Sequence, residues 1–194
     1  MGERVQWERI TEIVIAAAIA LAFAAAISAT TIERMSLQKM AQSAPVIVRA
    51  QCKGNSVVRD AGEVWTLSSF AVEETWRGET TPQITVRLLG GRMGDITAHV
   101  SGVPRFQPGE DVVLFLEPTK RGDFSVVSWE QGTFRIRRNP SGGTPEIVTQ
   151  DSASFATFDP ATRTFNASGI RNMPLDAFHA RVDAALQARE VKRP

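Results

Sequence analysis

Residues 13–27 read IVIAAAIALAFAAAI, an apolar run that contains no charged residue and has charged residues on both sides. A transmembrane helix needs about 20 apolar residues, whereas the hydrophobic region of a secretory signal needs only about 7–15. The run lies at the border between the two, and its alanines make it only mildly apolar. It constrains the chain strongly, because a signal and an anchor would both take the remaining residues out of the cytoplasm.

The residues that flank this run leave its fate open. Ser28 and Ala29 are small and are candidate cleavage positions, which would make residues 1–29 a signal peptide. The preceding segment is a poor signal n-region, because its two arginines are offset by three glutamates. We therefore expect an exported protein, periplasmic or extracellular, that is either released or anchored by residues 13–27. A buried globular helix is the third interpretation.

Residues 30–194 have the size of one ordinary domain. The whole chain has 22 Lys and Arg against 21 Asp and Glu, a formal net charge of +1, so it lacks the basic excess of a nucleic-acid-binding protein. Arg135, Arg137 and Arg138 form one local basic cluster. Residues 135 and 137 would share one face of a strand, which predicts a solvated sheet face. We expect no nucleic-acid partner.

Cys52 is the single cysteine, so the chain cannot form an intramolecular disulfide. Val46, Val48 and Cys52 have the same parity in a strand-like run, which predicts that the thiol points to the buried face. We expect a structural thiol here, because no nearby base is available to activate it.

Several short strand patterns with turn signals between them predict a mainly β fold. Residues 107–110 (QPGE) read as a turn, and the apolar run 112–116 predicts the most central strand. Residues 55–62 read as a polar turn, and the glycines of residues 90–94 as a hairpin or bulge.

Helical patterns lie before and after these strands. Residues 36–43 predict a short helix with Ser36 as its N-cap, and an apolar stripe after Pro174 predicts a C-terminal helix. Together with the strands, these patterns predict a small, closed or nearly closed antiparallel barrel with a short N-terminal helix and a C-terminal docking helix.

Blocks of this sequence resemble a family of uncharacterised exported bacterial proteins. They include residues 71–78 (AVEETWRG), 84–91 (ITVRLLGG), 102–116 (GVPRFQPGEDVVLFL) and 131–136 (QGTFRI). The resemblance implies a core like the OB-type barrel of netrin and tissue-inhibitor-of-metalloproteinase modules, and it implies no activity. Those inhibitors act through a disulfide-tethered N-terminal cysteine. Cys52 is single and internal, so that mechanism is disfavoured.

Residue types suited to catalysis are sparse. The chain has only two histidines, His99 and His179, no G-x-S-x-G motif, and no spacing typical of a zinc site. We therefore expect no cofactor and no metal. The enzymatic hypothesis is a hydrolase that uses Asp95, His99 and Glu110.

Binding is the function that these observations favour. Apolar groups lie among glycines in residues 90–95 and 102–105, and we expect Phe106 to close the barrel end. The candidate contact residues are Arg92, Met93, Asp95 and Arg105. We expect a non-enzymatic extracytoplasmic module that binds an unknown protein partner. The alternative is a netrin-like protease inhibitor that acts without the N-terminal cysteine.

Overall fold

The computed structural model describes residues 33–138, 145–154, 156–159, 162–167 and 169–190. All of them belong to the compact unit Glu33–Pro194. The export segment expected at residues 13–27 and the cleavage candidates Ser28 and Ala29 lie outside the described residues. Within the described ranges, every helix is too short or too polar to cross a membrane.

The described residues are mainly strands, and a long helix follows them. This confirms the predicted mainly β fold and the C-terminal helix. Two 3₁₀ turns, Trp129–Gly132 and Asp151–Ser154, interrupt the strands. The helices are α1 (Leu37–Ser43) and α2 (Leu175–Glu190), and the strands are β1 (Val46–Asp60), β2 (Glu63–Arg77), β3 (Gln83–Leu89), β4 (Gly91–Met93), β5 (Ile96–Ala98), β6 (Asp111–Pro118), β7 (Phe124–Val126), β8 (Thr133–Arg137), β9 (Ile147–Gln150), β10 (Ala156–Asp159), β11 (Thr164–Ala167) and β12 (Met173–Pro174).

Five strands form a closed ring in the order β1-β2-β3-β7-β6, and β6 pairs back with β1. The β1–β6 pairing runs in register from Val46 opposite Leu116 to Gln51 opposite Asp111. Strands β8, β9 and β12 extend the same sheet outward from β6. The predicted antiparallel pairing is wrong at one place in the ring, because β3 and β7 pair in parallel at Val86 and Phe124. A parallel pair needs a crossover connection, and residues 90–123 provide it.

Strand β6 is buried on both faces. Val112, Leu114 and Leu116 belong to an inner core enclosed by the ring. Val113 and Phe115 belong to an outer core between the sheet and the helices. Because side chains alternate along a strand, one continuous apolar run supplies both cores. The prediction that residues 112–116 form the most central strand is confirmed.

Both helices close the outer core. Helix α2 buries Phe178 and Val182 completely, and the Phe178 ring lies 4.7 Å from the ring of Phe134 on β8. Helix α1 buries Met40 and Ala41 on the same side. Its predicted N-cap is confirmed, because the Ser36 hydroxyl accepts a hydrogen bond from the Lys39 N–H at 3.2 Å.

The polar turn predicted at residues 55–62 is wrong. Strand β1 continues through them, and its pairing with β2 extends to Asp60 opposite Glu63. The turn is reduced to Ala61 and Gly62, with φ of +50° and +88°, as a tight two-residue hairpin requires. This part of β1 is held by cross-strand hydrogen bonds more than by burial, so its sequence lacks an apolar alternation.

Removal of the Phe178 ring is expected to lower the free energy of unfolding by about 3–5 kcal/mol, because Phe178→Ala leaves a cavity between α2 and the sheet. Urea denaturation measures this change. Phe165→Ala is the matched control, because that ring on β11 is 60% exposed, and it should cost less than about 1 kcal/mol. Equal losses for the two variants would contradict the placement of α2.

Candidate functional site

Residues 99–110, which we call the crossing segment, connect the β4–β5 hairpin to β6. Phe106 is buried in the inner core, with its ring 5.0 Å from that of Phe70 at an interplanar angle of 85°. The Asn55 side-chain amide donates a hydrogen bond to the Phe106 carbonyl at 2.8 Å. The side chain thus belongs to the inner core enclosed by the ring of strands, and its neighbours are held close to the sheet.

The predicted turn at residues 107–110 is confirmed. The Glu110 N–H donates to the Gln107 carbonyl at 3.1 Å, and the Gln107 N–H donates to the Glu110 carboxylate at 2.8 Å. Gly109 has a φ of +91°, which favours glycine. Its N–H donates to the Cys52 carbonyl at 2.8 Å, and the Cys52 N–H donates to the Glu110 carbonyl at 2.9 Å.

Arg135 on β8 binds several parts of this region at once. Its guanidinium makes a two-point contact with Asp151, at 2.6 and 2.9 Å, and pairs with Glu110 at 2.5 Å. It also donates to the Arg105 carbonyl at 2.7 Å and lies 5.5 Å from the centre of the Phe106 ring. One side chain therefore fixes both the crossing segment and the 3₁₀ turn that follows β9.

The charged groups around Arg135 and Asp151 change the pKa values of both side chains. Burial lowers the pKa of Arg135, but the hydrogen bond and charge of Asp151, with Glu110, outweigh burial and raise it. Burial raises the pKa of Asp151, and Arg135 offsets part of that rise. The predicted solvated face is therefore wrong for Arg135. Arg137 is exposed, while Arg138 pairs with Asp111 and Glu146.

The 3₁₀ turn Trp129–Gly132 presents an aromatic side chain to solvent. Ser128 and Trp129 both have a φ of +54°, a left-handed conformation that costs non-glycine residues about 1–3 kcal/mol each. The Trp129 side chain is 41% exposed. The turn is fixed to the crossing segment, because the Glu130 N–H donates to the Gly102 carbonyl at 3.1 Å.

His99 lies close enough to Glu130 for its charge to act on the pKa of that carboxyl, and Arg105 contacts His99. We group these three residues with the neighbouring Trp129 and call the four the Trp129 surface. The Arg105 guanidinium lies 3.1 Å from His99 Nδ1. Burial raises the pKa of Glu130, and the charge of Asp151 raises it further, while Arg135 and His99 lower it. Strained backbone and perturbed carboxyl groups often accompany functional sites.

The candidate contact residues predicted from the sequence fall into two groups. Arg105 belongs to the Trp129 surface. Arg92, Met93 and Asp95 lie in the β4–β5 hairpin, a separate two-stranded sheet, where Arg92 and Asp95 are exposed and Met93 is half-buried. Among the described residues, no hydrogen bond or ion pair joins Arg92 or Asp95 to Arg105. The hairpin predicted at residues 90–94 is present.

The observed positions of Asp95, His99 and Glu110 do not support the hydrolase hypothesis. The Glu110 carboxylate is engaged by Arg135 and by the Gln107 N–H, and Asp95 lies at the exposed hairpin turn. His99 contacts Arg105 rather than a carboxylate. Within the described ranges, no set of three or more His, Cys, Asp and Glu side chains is arranged to hold a metal ion.

A pocket of about 280 Å³ lies beside the first turn of α2. The ring of Trp76 stacks on that of His179, with centroids 4.0 Å apart, and Trp76 Nε1 donates to Glu74 at 2.9 Å. Glu74, Glu146 and Asp176 give the pocket an acidic lining. Glu74 and Glu146 are paired with Arg49, so their charges are partly compensated within the fold.

The residues that distinguish the Trp129 surface escape the sequence patterns. Trp129 reads as the last residue of a strand, and Asp151 as the start of an irregular stretch. The sequence feature that could have indicated this turn is the break at residues 130–132, where a polar pair followed by Gly132 interrupts an apolar pattern. In the structure, a Cβ on Gly132 would lie 2.2 Å from the Val127 carbonyl oxygen, so this turn needs glycine.

No protein-family model matches the chain, and no curated protein matches its sequence.

Glu130→Gln is expected to stabilise the protein at pH 7. Because the pKa of Glu130 is raised above its ordinary value of 4.5, the folded state binds this proton more tightly than the unfolded state does. The stability that Glu130 contributes is therefore lost as the pH rises from its ordinary pKa through the raised pKa of the folded state. Thermal unfolding should show a higher midpoint for the variant at pH 7 and a shrinking difference below about pH 4.5. Exposed Glu79→Gln should show neither effect.

Cys52 is expected to react slowly with a disulfide reagent at pH 8 in the folded protein. The side chain is fully buried, and burial raises the pKa of its thiol, so the reactive thiolate is scarce and inaccessible. A control with Cys52→Ala and Lys53→Cys places the thiol on the exposed neighbour. Absorbance of the released thiolate should show reaction about a hundredfold faster, or more, in the control. Similar rates would refute the buried assignment.

Proposed function

We propose that this chain is a non-enzymatic extracytoplasmic module that binds a protein partner through the Trp129 surface. Its scaffold is proposed to be an OB-like barrel of the kind found in netrin and tissue-inhibitor-of-metalloproteinase modules. The closed ring of five strands in the order β1-β2-β3-β7-β6 supports this assignment, because the OB-fold is a five-stranded Greek-key barrel. Barrels of this kind bind ligands with a strand face and the flanking loops.

The observation that carries the proposal is the exposure of Trp129 on strained backbone. Tryptophan and arginine are enriched among the residues that dominate binding energy, and here Arg105 lies on the same surface. Arg135 and the Glu130–Gly102 hydrogen bond hold this surface in place. A rigid surface loses little conformational entropy on binding.

Partner binding by the full-length protein tests the proposal. The protein is crosslinked in native envelopes, recovered, and compared with Trp129→Ala and Phe165→Ala variants by quantitative mass spectrometry. Phe165 is the matched control because it is an exposed aromatic on a different hairpin. The partner should be retained by Phe165→Ala and weakened about thirtyfold or more by Trp129→Ala, as for an interface hot spot.

Two other outcomes would redirect or overturn the assignment. A partner lost with Arg92→Ala or Asp95→Ala, but retained with Trp129→Ala, would move the site to the β4–β5 hairpin. Failure to enrich any protein over the Trp129→Ala variant would overturn the proposal. A panel of extracellular proteases covers the alternative function, because inhibition that Trp129→Ala abolishes would make a protease the partner.

A further inference from the structure

A groove of about 460 Å³ lies on the outer-core side of the sheet, and none of the four residues of the Trp129 surface lines it. Its walls come from several separate parts of the chain: residues 34–37, Gln131 of the 3₁₀ turn, Phe134 of β8, Gln150 of β9, residues 169–171 with Met173, and Arg181 of α2. The volume lies within the range of about 300–1,000 Å³ typical of small-molecule sites.

The floor of the groove is apolar and adaptable. Met35, Leu37, Ile170 and Met173 are partly buried side chains that pack on the outer core. Methionine is flexible and polarizable, so it adjusts readily to the shape of an apolar ligand. The exposed parts of these side chains form an apolar surface, and removing such a surface from contact with water is favourable.

Two buried glutamines hold the walls in place. Gln131 accepts a hydrogen bond from the Met35 N–H at 2.7 Å and donates to the Glu33 carbonyl at 2.8 Å. Gln150 donates to the Gln131 carbonyl at 2.6 Å and accepts from the Ile170 N–H at 3.2 Å. Their amides are therefore committed to the fold, and the groove is preformed.

Arg34, Arg171 and Arg181 line the same groove, and none of its described lining residues is Asp or Glu. Arg34 reaches Asp159 at 3.4 Å. Arg171 donates to the Ala153 carbonyl, and Arg181 contacts the Met173 sulfur at 3.8 Å.

Three arginines of the sheet are compensated far more fully than these. Arg49 pairs with three carboxylates, and Arg87 and Arg135 each pair with two. Within the described ranges, Arg34 contacts one carboxylate at 3.4 Å, and Arg171 and Arg181 contact none. Their positive charge is therefore available to a ligand, and guanidinium groups bind phosphate and carboxylate with good geometry.

We propose that this groove binds an anionic amphiphile, a phosphate or carboxylate group carried on a short hydrocarbon body. The anionic group is held among the three arginines, and the hydrocarbon packs on the methionine-rich floor. The proposal does not depend on the Trp129 surface, because the two sites share no ligand-contacting residue.

The proposal is tested by isothermal titration calorimetry, in which octyl phosphate is titrated into the full-length protein. Every titration uses the same buffer with one neutral detergent. Saturable binding of one molecule is expected. Arg181→Gln should weaken it about tenfold, as for the loss of one charge-assisted hydrogen bond. Arg181→Lys should retain most of the affinity, and Arg181→Glu should abolish it.

Matched controls separate this site from unspecific adsorption. Arg59→Gln removes an exposed arginine of β1 outside the groove and should leave the affinity unchanged. Octanol and inorganic phosphate carry the two halves of the probe separately, and each should bind at least about tenfold more weakly. Equal binding of either half, or an Arg181→Gln variant that binds like wild type while its thermal unfolding is unchanged, would overturn the proposal.

Soluble short-chain lipids distinguish the two sources of such a ligand. Binding of dihexanoylphosphatidylglycerol, with no binding of dihexanoylphosphatidylcholine, would identify a lipid headgroup. Binding of octyl phosphate and octanoate without either lipid would identify a free amphiphile.

Discussion

Strand β6 pairs with β1 on one edge and with β7 and β8 on the other, and it is buried on both faces. Its inward side chains fill the ring of strands, and its outward side chains support the helices. The β1–β6 pairing closes the ring, so the inner core exists only because these two strands meet. A polar residue within this run would remain buried without a hydrogen-bond partner in one core or the other, which is costly. The continuous apolar sequence of β6 follows from this double role.

Arg135 performs a similar task for the candidate site, using charge instead of apolar surface. It joins β8 to Asp151, to Glu110 and to the crossing segment. The Trp129 surface is built on this frame, and it retains features that stability alone would remove: two left-handed non-glycine residues and a glutamate with a raised pKa. Such costs are tolerated where function requires a fixed geometry. The arginine-lined groove differs, because its charges remain largely uncompensated within the fold.

The sequence predicted those elements whose cause is local. Ser36 as an N-cap, the turn at residues 107–110, the burial of Cys52 and the apolar stripe of α2 all follow from residues within a few positions of one another. The failures have a different origin. Residues 55–60 continue β1 because β2 pairs with them, and the parallel β3–β7 pair depends on a crossover of more than 30 residues. Of the predicted contact residues, Arg105 alone lies on the Trp129 surface.

The sequence by itself determined a mainly β chain with a central apolar strand, a buried thiol and a C-terminal helix. Periodicity and turn chemistry act over a few residues, so a single pass along the chain detects them. Tertiary structure alone decided which charges are compensated and which face a cavity. Arg135 and Arg181 are the same residue type, and neither has a local signal that separates them. Their difference arises because ion pairing depends on distance in space, and the partners of Arg135 come from residues 16 and 25 positions away.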